Sequence, residues 1–159
     1  RVAAAPYYRD RRDEIPPGMA PYYKVPIFNY HQGYFSANVE PTYIGSAHRF
    51  EACGEMTSEQ KEALALSQEL AREMRFDQGF SRGDMQFVNN HVIFHSRRGY
   101  VDRPDPDRKR HLLRIWLKVM DGRPLPDAFY ERHGTRHTVD RPGGIVGPDT
   151  VLNAPIYRE

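Results

Sequence analysis

The chain has 159 residues, the size of one domain, and its net charge is only +2 although 28% of the residues are charged. No apolar run approaches the ~20 residues of a membrane helix, so we expect a soluble, cytoplasmic protein with no membrane contact. Cys53 is the only cysteine, which excludes an internal disulfide and any Cys-x-x-Cys zinc or redox site.

The cationic residues are mostly arginine, a side chain suited to recognising carboxylates and phosphates. Two arginine-rich runs, at 9–12 and 108–110, have acidic neighbours that nearly cancel their charge. We therefore expect solvated loops there and no nucleic-acid partner. A nucleic-acid-binding module is the alternative, and strong salt dependence of DNA binding would support it. The chain starts at Arg1 rather than methionine, which we interpret as part of a longer protein.

Several elements are predicted in the first half of the chain. The proline-rich residues 6–21 predict a loop. Aromatic and β-branched runs at 22–30 and 34–39 flank a short connection that contains glycine, and they predict a hairpin. Pro26 places its strand at a sheet edge or a bulge.

One helix is predicted at residues 58–73. Thr57-x-x-Gln60 is a capping-box pattern, which marks a helix start. Apolar residues then recur on one face at helical spacing: Ala63, Leu66, Leu70 and Met74.

The second half predicts extended segments joined by turns. Strands are predicted at 74–80, 85–88, 92–95 and 110–119. Turns are predicted at 81–84 and at 89–90, and a loop at 102–109. Glycine and proline punctuate an irregular tail from 121 onward. The predicted fold class is therefore mainly β with one helix, a pattern typical of a jelly roll.

Residues 110–117 place two arginines where they suit a carboxylate. In an extended strand Arg110, Arg114 and Trp116 share one face, and the other face is apolar beyond His111. Planar guanidinium groups in an apolar setting bind a carboxylate at two points. The alternative is that both arginines form surface ion pairs with the acidic loop before them.

Two histidines on the preceding predicted strand are candidate metal ligands. His91 and His95 share a face there, so either imidazole is available to a metal ion. No cysteine or paired carboxylate at ligand spacing accompanies them. The alternative for His95 is a polar residue on a half-buried strand.

The block GDMQFVNNHVIFHSR at 83–97, followed by RHLLRIWL at 110–117, resembles the C-terminal signature of the TauD/TfdA family of taurine dioxygenase-like enzymes. The resemblance implies an incomplete C-terminal half of a double-stranded β-helix, with the dioxygenase domain at 1–120 and its irregular tail at 121–159. It implies an iron(II), 2-oxoglutarate-dependent enzyme that uses dioxygen to hydroxylate a small organic substrate. A non-catalytic jelly-roll protein that binds an acidic small molecule is the alternative function.

The resemblance also implies residue roles. His95 matches the distal histidine of the 2-His-1-carboxylate iron triad. Arg110 matches the position that pairs with the distal carboxylate of 2-oxoglutarate. Arg114 matches an arginine that relatives use for an anionic substrate or for further co-substrate contacts.

One part of the family's pattern is absent. None of the seven histidines has Asp or Glu two residues later, so the His-x-Asp or His-x-Glu that supplies the other two iron ligands is missing. We therefore expect the missing N-terminal half of the same enzyme as a partner and, for this chain alone, no activity. Exposed strand edges would also favour homo-oligomers.

Overall fold

Two small antiparallel sheets and two α-helices make up the regular structure of the residues that the structure describes. The computed structural model describes residues 5–105, 108–117, 119 and 122–133, and the rest of the predicted tail lies outside them. The strands are β1 (Pro6–Asp10), β2 (Tyr22–Pro26), β3 (Phe28–His31) and β4 (Tyr34–Ala37). The helices are α1 (Pro41–Ala47) and α2 (Ser58–Glu73), with short 3-10 turns at Glu51–Cys53, Asp127–Phe129 and Glu131–His133.

Strand β1 corrects the first part of the loop predicted at 6–21, whereas residues 11–21 form no helix or strand. It pairs with β2 in antiparallel register, with Tyr7 opposite Val25 and Arg9 opposite Tyr23. Pro6 and Pro26 face each other on the terminal rung. A proline at a strand end leaves the interior of the ladder intact, so the local density of prolines was a poor guide here.

The second sheet confirms the predicted hairpin. Strand β3 pairs with β4, and His31 lies opposite Tyr34. The two connecting residues, Gln32 and Gly33, have φ angles of 47° and 85°. Two successive residues with positive φ match the right-handed twist of the strands, and glycine adopts that conformation without a steric cost.

Helix α1 was not predicted, and the expectation of a single helix was wrong. It begins at Pro41, where a missing N–H donor has no consequence because the first turn leaves that donor unpaired. Its Ile44 and Ala47 side chains are buried, and Ile44 packs with Tyr7 of β1. Seven residues are too few to show a clear helical period in the sequence.

Helix α2 confirms the predicted boundaries and cap. The N–H of Gln60 donates to Thr57 Oγ1 at 3.2 Å, and the N–H of Thr57 donates to Gln60 Oε1 at 3.1 Å. The predicted apolar face was wrong, however, because Leu64 is the buried residue of this helix. Leu66, Leu70 and Met74 are 40–74% exposed.

The reciprocal cap gives a prediction for stability. Replacing Thr57 by Ala removes the oxygen that accepts the Gln60 N–H, so the free energy of unfolding should fall by about 1 kcal/mol. Ser58→Ala is the matched control, because Ser58 lies inside the helix and does not cap it. Denaturant titration followed by circular dichroism compares the two variants. Equal losses would contradict a role for the cap.

The core lies around the sheets and the start of α2. One cluster of buried residues contains Tyr7, Ile27, Ile44 and Leu64. A second contains Tyr23, Val25 and Phe129, with Leu125 and Ala128 packed against it. Part of the predicted tail therefore packs on β2. Within the described ranges, no helix is long and apolar enough to cross a membrane.

The four strands predicted after α2 do not form in the described residues. Among the described residues from 74 to 117 there is no strand, and only Val88 and His91 are partly buried. We call residues 74–105 and 108–117 the exposed segment. Its turns at 81–84 and 89–92 are present, with the Val92 N–H donating to the Asn89 carbonyl at 3.0 Å. Strand propensity alone does not make a strand, because a ladder requires a partner for its backbone groups.

Candidate functional site

His95 lies on the exposed segment close to where that segment contacts the β3–β4 hairpin. The backbone N–H of Ala37 donates to the His91 carbonyl at 2.8 Å. The ring of Phe94 lies 6.2 Å from that of Phe28 on β3. The first contact is made within the turn at 90–92 and the second just after it, and the side chain of His95 is exposed.

His91 and His95 do not share a face as predicted. A turn at 90–92 breaks the alternation of an extended strand between them. The His91 ring is half-buried, 5.9 Å from the ring of Phe129. The fold therefore distinguishes the two histidines, which strand parity alone left equivalent. His91 packs against Phe129, whereas the side chain of His95 is exposed.

The two predicted arginines lie further along the exposed segment, each against an aromatic ring. The Cζ atom of Arg110 is 5.1 Å from the ring centroid of Tyr100, and that of Arg114 is 5.8 Å from the ring of Trp116. The predicted strand does not form, so the arginines share no strand face. Arg114 and Trp116 nevertheless lie close together, as expected. The backbone N–H of Arg110 also donates to Asp102 Oδ1 at 3.0 Å.

The predicted apolar face opposite the arginines is exposed. Leu113 is 86% exposed and Ile115 is 80% exposed. A side chain with such exposure gains little from the hydrophobic effect. This apolar face therefore does not pack into a core among the residues that the structure describes.

The described residues do not fit a complete iron site. They contain no group of three or more His, Cys, Asp or Glu side chains that could hold one metal ion. A three-ligand iron site needs two further groups beside His95 to fix its geometry. In the described part of the chain, His95 is a candidate iron ligand, but the two further ligands that an iron site needs do not lie beside it.

Sequence reasoning missed a buried polar network on β1, where a charged loop was expected. Arg9 and Arg11 are 1% and 4% exposed. Arg9 donates to the side-chain oxygen of Asn38 at 2.7 Å, and Arg11 donates to the carbonyls of Glu131 and Arg132 at 2.7 and 2.5 Å. Burial lowers the pKa of the Arg9 guanidinium from its ordinary value. A run of alternating charges gave no signal that these side chains turn inward.

Arg11 joins distant parts of the chain. Besides the two carbonyls of the tail, it donates to the carbonyl of Ala20 at 3.0 Å and lies 4.7 Å from the ring centroid of Tyr23. The tail turn at Glu131–His133 is thereby tied to the first sheet. The network holds these segments of the fold together, and no predicted site residue takes part in it.

A cavity of about 200 Å³ lies between the first sheet and the start of α2. Its lining includes Lys24, His48, Cys53 and Glu55. Burial raises the pKa of the Cys53 thiol, which keeps it in its less reactive neutral form. None of the predicted site residues lines this cavity, so it is separate from the arginines and His95.

Comparison with known proteins assigns a family. The family model described as "Taurine catabolism dioxygenase TauD, TfdA family" matches residues 1–116. The chain is 35% identical to "FR-33289 synthase" of Streptomyces rubellomurinus over 124 residues, which are 76% of this chain and 37% of that protein. It is 36% identical to "Taurine hydroxylase-like protein SAT17" of Stachybotrys chartarum over 64 residues, 40% of this chain and 17% of that protein. The chain thus spans well under two thirds of either relative, and by its match over most of its length it belongs to the TauD/TfdA family.

Proposed function

We propose that this chain is the C-terminal part of a non-haem iron(II), 2-oxoglutarate-dependent dioxygenase that hydroxylates a small organic substrate. The observation that carries the proposal is the family match over residues 1–116, which includes His95, Arg110 and Arg114. One relative is named a taurine hydroxylase-like protein, which supports the proposed reaction class.

Each of the three residues has a proposed role. His95 would contribute one imidazole to iron, and its side chain is exposed. Arg110 binds the distal carboxylate of 2-oxoglutarate through its planar N–H donors. Arg114 contacts an anionic substrate or further co-substrate oxygens. When bound, iron would supply the oxidising chemistry with dioxygen, while the protein holds ligands and excludes water.

The rest of the site belongs, in this proposal, to polypeptide upstream of residue 1. The exposed segment presents large apolar side chains, among them Phe76, Met85, Phe87 and Leu117, which are 70–88% exposed. Exposed apolar surface of this extent is typical of an interface. We propose that upstream strands cover it and complete a double-stranded β-helix. Residues 1–120 would then form part of the dioxygenase domain, with 121–159 as its tail.

The role of Arg110 gives a direct test of 2-oxoglutarate dependence. In protein that includes the upstream part, Arg110→Lys should raise the KM for 2-oxoglutarate about tenfold, because an ammonium group cannot reproduce a planar two-point contact. Arg114→Lys is the matched comparison and should alter mainly the KM for the primary substrate. The measurement is succinate formation at varied 2-oxoglutarate concentration.

The opposite division between the two variants would exchange the roles of the arginines. Carboxylate binding without any succinate formation by the wild-type protein would instead favour the non-catalytic binding protein.

A further inference from the structure

His48 lines the cavity between the first sheet and the start of α2. The residue is half-buried, and its Nδ1 atom lies 2.6 Å from the carbonyl oxygen of Gly54. A carbonyl oxygen only accepts, so Nδ1 carries the hydrogen, and in the neutral ring Nε2 then carries a lone pair. Nε2 is buried and has no hydrogen-bond partner among the described residues. Buried polar atoms are nearly always hydrogen-bonded, so this nitrogen indicates a donor that the described residues do not supply.

Lys24 brings a positive charge to the same cavity. Its ammonium nitrogen lies 4.5 Å from the ring centroid of Tyr8, another residue of the lining. Contact with the face of a ring leaves the N–H donors of an ammonium group available to an anion. In the described part of the chain, no carboxylate forms an ion pair with Lys24.

Cys53 and Gly54 place Lys24 and His48 near each other. Burial raises the pKa of the Cys53 thiol, and the nearby Lys24 ammonium acts in the opposite direction. Gly54, the next residue, binds the His48 ring through its carbonyl. The cavity volume of about 200 Å³ is below the ~300–1,000 Å³ of typical ligand pockets. Its occupant is therefore a small molecule, and both side chains lie around the same small space.

Two other polar side chains of the lining already have partners. The Glu55 carboxylate is ion-paired with Lys61 at 3.6 Å. The side-chain oxygen of Gln60 accepts a backbone N–H in the cap of α2 at 3.1 Å. A complementary ligand therefore has to supply a negative charge for Lys24 and a hydrogen-bond donor for His48.

We propose that this cavity binds a short α-hydroxy acid, whose carboxylate pairs with the Lys24 ammonium and whose hydroxyl donates to His48 Nε2. A charged acceptor on an ammonium group forms a charge-assisted hydrogen bond, and the hydroxyl supplies the donor that the imidazole needs. Neither an alcohol nor a simple carboxylate satisfies both groups. The two residues lie outside the proposed iron and co-substrate site, so the inference goes beyond the proposed function and does not rest on it.

The test is an NMR titration of the 159-residue chain with glycolate and with lactate, followed at the His48 ring and the Gly54 N–H. At least one of these hydroxy acids should give a saturable shift at both positions. Acetate lacks the hydroxyl and should bind about fivefold more weakly than glycolate, because one hydrogen bond is lost. Ethylene glycol lacks the charge and should bind about three- to fivefold more weakly, because the ion pair is lost.

Two substitutions separate the contributions of the side chains, with the Gly54 N–H as the reporter. His48→Asn keeps a donor for the Gly54 carbonyl but removes Nε2, so glycolate should bind no more tightly than acetate. Lys24→Met keeps an unbranched stem beside Tyr8 and should weaken glycolate binding about three- to fivefold. Lys109→Met is the matched control, because it removes a lysine charge outside the lining and should leave the affinity unchanged. Circular dichroism of each variant identifies loss of fold.

Three results would overturn the proposal: no saturable shift with either hydroxy acid, equal affinity of the wild-type chain for glycolate and acetate, or equal glycolate affinity in a folded Lys24→Met variant. The first of these would mean that the cavity holds water only. The comparison of ligands uses the wild-type chain alone, so it decides the question even where a substitution unfolds the protein. Absence of succinate formation would count against the dioxygenase function and leave these outcomes unchanged.

Discussion

Succinate formation by the 159-residue chain, supplied with iron(II), 2-oxoglutarate and ascorbate, should stay at background. His95 is one imidazole, and a single neutral ligand cannot enforce the facial geometry of a three-ligand iron site. The described residues offer no group of three metal-ligating side chains. The same chain mixed with an upstream polypeptide that carries a His-x-Asp or His-x-Glu should form succinate.

Association of the chain provides a second readout of the same experiment. The exposed segment leaves Phe87 80% exposed and Ile115 80% exposed, so the chain alone should form oligomers. Addition of the upstream polypeptide should convert these into a one-to-one complex, measured by light scattering. The control is an upstream polypeptide whose His-x-Asp is changed to Ala-x-Ala, which should form the complex without activity.

Robust turnover by the chain alone would contradict this expectation. It would mean that another group of this chain completes the metal site, and the proposal of half an active centre would be wrong. A complex that forms without succinate would support the interface and count against the iron site.

His95→Ala, in protein that includes the upstream part, should abolish iron-dependent turnover. Removal of one of three iron ligands leaves a two-ligand site that holds iron(II) weakly. His91→Ala is the matched control from the same segment. Its ring lies against Phe129, and its carbonyl accepts the Ala37 N–H, a bond that alanine preserves. This variant should therefore lose some packing stability but retain turnover.

Iron binding and succinate formation are both measured for the two variants, together with thermal unfolding. Normal iron affinity and turnover in His95→Ala would remove that residue from the metal site. Loss of turnover in a folded His91→Ala would assign the ligand to His91 instead.

Local sequence was a reliable guide where the structure depends on short-range interactions. The structure confirms the start of α2 that was predicted from the capping box at Thr57. It also confirms the β3–β4 hairpin that was predicted from the glycine-containing connection. The turns predicted at 81–84 and 89–90 were also present, the second of them extending to residue 92. In each case the stabilising hydrogen bonds or backbone angles involve residues within a few positions of one another.

Local sequence was a poor guide where burial depends on distant residues. The proline-rich start hid β1, whose existence depends on pairing with β2. Arg9 and Arg11 were expected in solvent, but they are buried because Asn38 and the tail carbonyls accept their hydrogen bonds. The four predicted strands of the exposed segment have suitable side chains but no partner in the described residues.

The sequence by itself determined the family, through the motif that contains His95, Arg110 and Arg114, because chemical roles depend on residue type and spacing. Only the tertiary structure decided which of the two neighbouring histidines is open, since a turn and the packing against Phe129 separate them. It also decided that Arg11 is buried, because the carbonyls of Glu131 and Arg132 accept its hydrogen bonds. Contacts between residues so far apart in the chain leave no periodic trace in a sequence.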